Sequence, residues 1–254
     1  MGGGAGQHDD DGRADAPGRD GRADATGTTE AVADARVRRR RIPLLSGIAA
    51  VLLAAGLGLL IAARFDGLPV EVDEEWAEEI LEIRGPAGIW LATVMDRLGG
   101  GLIGVFVVPI VTIVVLLLLR RPWGAGYYLA ATIASAGLVQ LLKQLYGRAR
   151  PEDMLVTSDF GSFPSGHVAN ATTIAVTLGV IVPRVWVWAT GSAYVVLMLV
   201  SRTYLGVHWL TDTIGGVLVG AGVALILWAP FARPLERERL AWRPPWRHEP
   251  AAAG

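Results

Sequence analysis

The chain has no cysteine and, among its 23 basic residues, a single lysine, Lys143. Without cysteine there is no disulfide-stapled fold, no thiolate-ligated zinc or iron–sulfur centre and no cysteine nucleophile. Charge is scarce as well. Only 19% of residues are charged and the formal net charge is -1, which leaves little room for a basic face to neutralise a nucleic-acid backbone, so no nucleic-acid partner is expected. What the chain does have is apolar surface, 52% of its 254 residues. That is too much for a chain disordered throughout, and it is gathered into uncharged runs of membrane-spanning length.

A bilayer core of roughly 30 Å takes about 20 apolar residues as a helix. Such runs cover Leu44 to Ala63, Leu102 to Leu119, about Tyr127 to Leu145, about Ser165 to Val182, Val185 to Val200, and Leu210 to Trp228. The second is entered through a less apolar stretch around Trp90 and is broken by Gly99, Gly100 and Gly101. The pattern predicts an all-α polytopic membrane protein with six transmembrane helices, which puts both termini on one side. Residues 42–231 form the membrane domain. Residues 1–41 are read as a disordered cytoplasmic tail, Gly-, Ala- and Asp-rich with DGRADA repeated at Asp11 to Ala16 and Asp20 to Ala25, and 232–254 as a cytoplasmic C-terminal tail. The first apolar run is longer than a signal-peptide core and follows a long acidic leader, so it reads as an uncleaved anchor.

Cations beside membrane spans stay in the cytoplasm. Arg36, Arg38 to Arg41, Arg120, Arg121, Arg184, Arg233, Arg237 and Arg239 all fall on the side of the termini, with Trp123, Trp186, Trp188 and Trp228 as an interfacial belt. The first outer loop is acidic, with Glu71, Asp73, Glu74, Glu75, Glu78, Glu79 and Glu82. Within it Trp76, Ile80 and Ile83 recur at helical spacing and predict a short amphipathic surface helix, a solvated connector or an active-site lid. Lys143, Arg148, Arg150 and Arg202 break the rule, because they sit at span ends placed outside. Something there must compensate their charge.

Three clusters occupy that outer end. In the first, Lys143 and Arg150 suit an anion, since guanidinium forks match phosphate oxygens; a lone lysine would otherwise read as a snorkelling anchor. The second, Pro164-Ser165-Gly166-His167, opens a span: a helix start offers free N–H groups and Gly166 admits close approach, although a serine there can simply cap the helix. In the third, Ser201-Arg202 precedes His208 and Asp212. These last two are four residues apart on one helical face, where the carboxylate can fix the imidazole tautomer or form a purely structural pair. Of the 4 histidines, His8 and His248 lie in the tails, so the membrane body keeps His167 and His208, both at outer span ends beside cations. Ionisable groups at such a boundary are costly unless used.

These residues carry a resemblance. Lys143 separated by six residues from Arg150-Pro151, Pro164-Ser165-Gly166-His167, and Ser201-Arg202 separated by five residues from His208, which is separated by three from Asp212, match the three-part signature of the type 2 phosphatidic acid phosphatase (PAP2) family, which is similar to vanadium haloperoxidases. The likeness spans about Lys143 to Asp212 with no departure at the motif positions, and the tails and acidic loop lie outside it. It implies a PAP2/haloperoxidase-like helical core and a metal-independent, cofactor-free phosphatase of a lipid phosphate monoester or pyrophosphate, in the cell membrane with its site on the extracytoplasmic side. His208, oriented by Asp212, would be the nucleophile and form a phosphohistidine; His167 would be the acid and base; Lys143, Arg150, Ser165, Gly166 and Arg202 would hold the phosphate. Arg148 lies inside the first motif without a fixed role and is a further candidate ligand. Alternatives on the same residues are a lipid phosphotransferase, a lipid-phosphate binder or transporter, and an intramembrane serine protease using Ser165 with His208, which has no use for the cations.

Overall fold

The computed structural model describes residues 1–3 and 20–241, and of residues 20–40 the backbone alone. The remainder of the expected N-terminal tail and residues 242–254 of the C-terminal one lie outside the described residues. The chain divides into two compact units, Met1–Arg39 and Arg40–Gly254. All three sequence clusters belong to the second unit.

Among the described residues all regular structure is helical. Helix α1 is assigned over Asp20–Phe65, followed by α2 (Glu71–Ile83), α3 (Pro86–Gly99), a π-helical turn (Ile103–Val107), α4 (Val108–Leu118), α5 (Pro122–Tyr146), α6 (Gly166–Ile181), α7 (Val185–Tyr204) and α8 (Leu210–Ala241). Four segments are long and apolar enough to cross a membrane: Arg41–Phe65, α5, α7 and α8. The second expected crossing is a broken one: Pro86–Gly99 and Ile103–Leu118 meet at a 45° bend. The cause is local, since Gly99, Gly100 and Gly101 interrupt the helix and Gly101 adopts a left-handed φ of 56°. The fourth expected crossing is α6, whose 16 residues reach about 24 Å at 1.5 Å each, short of the bilayer core.

α6 is the centre of the bundle, packing against α5, α7 and α8. Its threonines Thr172, Thr173 and Thr177 return their hydroxyls to carbonyls one turn back, so they are buried without orphaned donors. Close approach to α8 needs glycine there. A Cβ on Gly216 would sit 2.6 Å from the Ser165 carbonyl oxygen, so the glycine fixes the height at which α6 begins. Lipid-facing residues such as Leu52, Val114, Ile133 and Val196 are exposed at the bundle surface, as the solvent of a membrane protein allows.

The acidic connector forms the expected helix α2, but its faces differ from the simple amphipathic pattern. Ile80 is buried against Ala92, Tyr204, Leu205 and Val207 with Trp76 alongside, whereas Ile83 is exposed and Asp73 is fully buried. α2 is therefore bolted to the bundle end through a carboxylate as well as through apolar contact.

Candidate active site

α5 and α7 end, and α6 and α8 begin, at one end of the bundle, which brings all three sequence clusters together. Gly147, in the left-handed region at φ 55°, donates its N–H to the Lys143 carbonyl (2.9 Å) and stops α5 one turn after the lysine. The next loop folds back over Lys143. The side chain is only 2% exposed, and its ammonium donates to Asp159 Oδ1 at 2.8 Å and to the Gly161 carbonyl at 2.9 Å. Arg150 reaches the same two acceptors, donating to Asp159 Oδ1 at 2.7 Å and Gly161 O at 2.8 Å, and also to Val207 O at 2.5 Å. Although partial burial pulls the Asp159 carboxyl upward, Lys143 and Arg150 hold it below its ordinary value.

His208 lies in the short turn between α7 and α8, almost completely buried. Its Nδ1 is 3.5 Å from Asp212 Oδ2, too long for a formed hydrogen bond, and Nδ1 has no other partner. That oxygen accepts instead from the Trp209 N–H at 2.9 Å. On the other side of the ring Nε2 is 3.4 Å from Arg150 Nη1. A proton on Nδ1 facing Asp212 leaves the Nε2 lone pair toward Arg150 and the cavity. Burial pushes the imidazole well below its usual 6.5, and Arg202, Arg150 and Lys143 push the same way. His208 is thus kept neutral, the state a nucleophile requires.

Ser165 opens α6 with its backbone N–H donated to the Asp212 carbonyl (2.9 Å). Its hydroxyl is fully buried and has no hydrogen-bond partner, which leaves a donor unspent at the start of α6. His167 and Arg202 converge on a residue that the sequence reading passed over, Asp96 near the end of α3. His167 Nε2 is 3.2 Å from Asp96 Oδ1 and from the Asp96 carbonyl, and the same Oδ1 pairs with Arg202 Nη1. The His167 ring lies in space that a side chain on Gly100 would fill, so the break in the bent helix pair is also the seat of this histidine. Asn170, one turn on, donates to the Gly99 (3.3 Å) and Gly104 (3.1 Å) carbonyls and pins that break.

Arg148 is the exception among the cations. It does not turn into the site; Nη1 donates to Asp212 Oδ1 (2.6 Å) and Thr211 Oγ1 (2.7 Å), and Nη2 to Asp73 Oδ2 (2.6 Å). Asp73 in turn accepts from the Thr211 N–H and hydroxyl, both at 2.8 Å. The candidate phosphate ligand is therefore a buried clamp that links α2 to the carboxylate beside His208. Asp73, Asp96 and Asp159 were missed as site residues. Asp96 alone carried a signal, as a carboxylate at the Gly-broken entrance to an apolar run.

A cavity of about 1040 Å³ joins Lys143, Asp159, His167, Arg202 and His208 to an apolar groove between the bent helix pair and α5. Phe106, Ile110, Leu129 and Ile133 line it and are exposed on the flank of the bundle. Among the described residues no cluster of His, Asp or Glu has the arrangement to hold a metal ion. The cations and the helix start at Gly166 give this cavity the chemistry to take an anion.

Residues 124–234 match the PAP2 superfamily model. An undecaprenyl-diphosphatase of Sulfolobus acidocaldarius is 43% identical over 65 residues, which is 26% of this chain and 31% of that protein. A decaprenylphosphoryl-5-phosphoribose phosphatase of Mycobacterium tuberculosis is 30% identical over 154 residues, 56% of this chain and 80% of that protein. The crystal structure of a transmembrane PAP2-type phosphatidylglycerolphosphate phosphatase from Bacillus subtilis superposes with a TM-score of 0.62 at 25% identity, covering 78% of this chain and 99% of that one. Fold, sequence and motif order agree: this chain belongs to the PAP2 superfamily, whose matched members are phosphatases.

Proposed function

We propose that the protein hydrolyses a lipid phosphate monoester or pyrophosphate, without a metal, through a phosphohistidine on His208. The observation that carries this reading is the convergence of Lys143, Arg202, His167 and His208 on one cavity that continues into an exposed apolar groove, with Asp212 behind His208 and Arg150 beside its Nε2. A headgroup in the polar end and a chain in the groove fit that shape. The three relatives act, by their names, on polyprenyl diphosphate, polyprenylphosphoryl phosphoribose and phosphatidylglycerolphosphate, which suit the same division.

In this mechanism His208 Nε2 attacks phosphorus in line. Lys143, Arg150, Arg202, the Ser165 hydroxyl and the Gly166 N–H hold the other oxygens, where their charge and dipoles offset what develops in the transition state. Asp159 pairs with Lys143 and Arg150, and Asp96 with Arg202, so an incoming phosphate competes with these carboxylates for the cations. His167 protonates the departing oxygen and then takes a proton from the water that releases phosphate and restores His208. Asp212, fixed by Arg148, keeps the His208 tautomer.

The membrane arrangement belongs to the same proposal: six crossings, with the 16-residue α6 enclosed by its neighbours and the bent pair counted as one, both termini cytoplasmic and the site facing outward. The arginines at the opposite ends of the helices, Arg120, Arg121 and Arg184, support that orientation.

The test is a panel of lipid phosphates with the purified protein in detergent. Phosphate release that survives chelators, is inhibited by vanadate and falls at least about 10³-fold in His208→Ala is expected, together with an acid-labile phosphoenzyme in rapid-quench single turnovers. Near-normal turnover in His208→Ala or Asp212→Asn would refute the nucleophile assignment, and activity that chelators abolish and magnesium restores would refute the metal-free cradle.

A further inference from the structure

Asp96 has no part in the signature motifs, yet one of its oxygens touches two groups that handle the phosphate. Oδ1 is 3.2 Å from His167 Nε2 and pairs with Arg202 Nη1. The two histidines of the site need opposite protonation states, and their carboxylates differ accordingly. Asp212 is fully buried and its other oxygen is tied to Arg148 at 2.6 Å, so much of its charge is already spent and it orients His208 without making it basic. Asp96 is partly exposed, and its second partner, Arg202, is a group that a phosphate would claim.

Resting on the hydrolase reading, we propose that Asp96 is the positioning residue of the acid–base histidine. Its carboxylate is shared between Arg202 and His167. When a phosphate takes Arg202, the carboxylate is left to His167 and holds that ring doubly protonated, one N–H on Asp96 and the other aimed at the leaving oxygen. The protons balance through the cycle. As the His208 Nε2–P bond forms and the P–O bond breaks, the free N–H proton of His167 passes to the alkoxide, giving the alcohol. Water then attacks phosphorus, returns one proton to His167, and the P–N bond breaks to release phosphate. Asp96 stays ionised throughout, and the exchange of partners ties loading of the acid to occupancy of the site. Gly100 completes the device, since the ring occupies space that any side chain there would take.

The prediction separates general-acid catalysis from simple folding. An alkoxide is a poor leaving group that needs the proton, whereas an aryl oxide departs without one. In Asp96→Asn, kcat for a dioleoyl phosphatidic acid substrate should fall by about 10²-fold, and kcat for 4-nitrophenyl phosphate by less than about tenfold. Freed from its carboxylate, Arg202 should at the same time bind oxyanion better, lowering the vanadate Kd roughly fivefold. Asp96→Glu, which keeps the charge, should recover most of kcat and guards against a folding defect in the amide variant. Equal loss on both esters, or a vanadate Kd that is unchanged or weaker in Asp96→Asn, overturns the proposal. Failure of the hydrolase reading looks different, because the wild-type protein then releases phosphate from neither ester; the vanadate titration still decides whether Asp96 and the anion compete for Arg202.

Discussion

His208 shows how far a single side chain depends on its surroundings. Burial disfavours its charged form first, and the positive charges of Arg202, Arg150 and Lys143 add to that. These causes set the sign of the pH dependence. Protonation removes the nucleophile, so kcat/KM should fall on the acid side with a midpoint below the ordinary 6.5 of an imidazole. Arg150→Gln, which removes the charge 3.4 Å from Nε2, should move that midpoint upward as well as weaken substrate binding. A pH–rate profile of both proteins checks this, and an acid limb centred above 6.5 in the wild type would contradict the neutral-histidine assignment. His208, His167, Lys143, Arg150 and Arg202 could be picked out from the sequence because cations at outer span ends are anomalous wherever they occur. Their counter-charges could not. Asp159 and Asp73 sit among other acids in polar segments, where nothing local distinguishes a buried carboxylate from a solvated one.

At the scale of elements, helix α2 changes character once Asp73 is placed. Its buried pair with Arg148, together with the bonds to Thr211, ties the acidic connector to the first turn of α8 and so to Asp212. Breaking a buried pair costs about 3–5 kcal/mol because the remaining charge stays in low dielectric. Asp73→Asn should therefore lower the unfolding midpoint in detergent. Arg148→Gln should lower it further, since it leaves two carboxylates, Asp73 and Asp212, without their common cation. Thermal denaturation of the two variants ranks them. The α6–α8 contact gives a second prediction: in Gly216→Ala the new methyl would lie 2.6 Å from the Ser165 carbonyl oxygen. Neither backbone can yield cheaply, and overpacking of this kind costs roughly 1–3 kcal/mol. Because Ser165, Gly166 and His167 begin α6, phosphate release should suffer more than folding does, which comparison of kcat with the unfolding midpoint will show.

For the whole molecule the prediction concerns orientation, which the lack of cysteine makes directly accessible. Single cysteines can be placed at Glu79, on α2, and Arg184, in the turn between α6 and α7, both exposed positions. In intact cells a membrane-impermeant maleimide should label Glu79→Cys and spare Arg184→Cys until the membrane is opened; the reverse pattern would invert the proposed topology. Run length alone read out the four long spans correctly. It was less informative for the bent pair, where glycines break the helix, and for α6, whose central position makes a shorter helix tolerable because its neighbours, rather than lipid, surround it.

The sequence by itself determined that the chain is a helical membrane protein of this family and which cations and histidines stand at the ends of its apolar runs. Both rest on local quantities, the length of apolar runs and the spacing of a few residues within them. The tertiary structure alone decided which carboxylate serves which cation. Arg202 and Asp96 are 106 residues apart and Arg148 and Asp73 are 75 apart. Such pairings arise when helices pack, because a buried charge must find a partner within a few ångströms in space and no spacing along the chain encodes which one it will be.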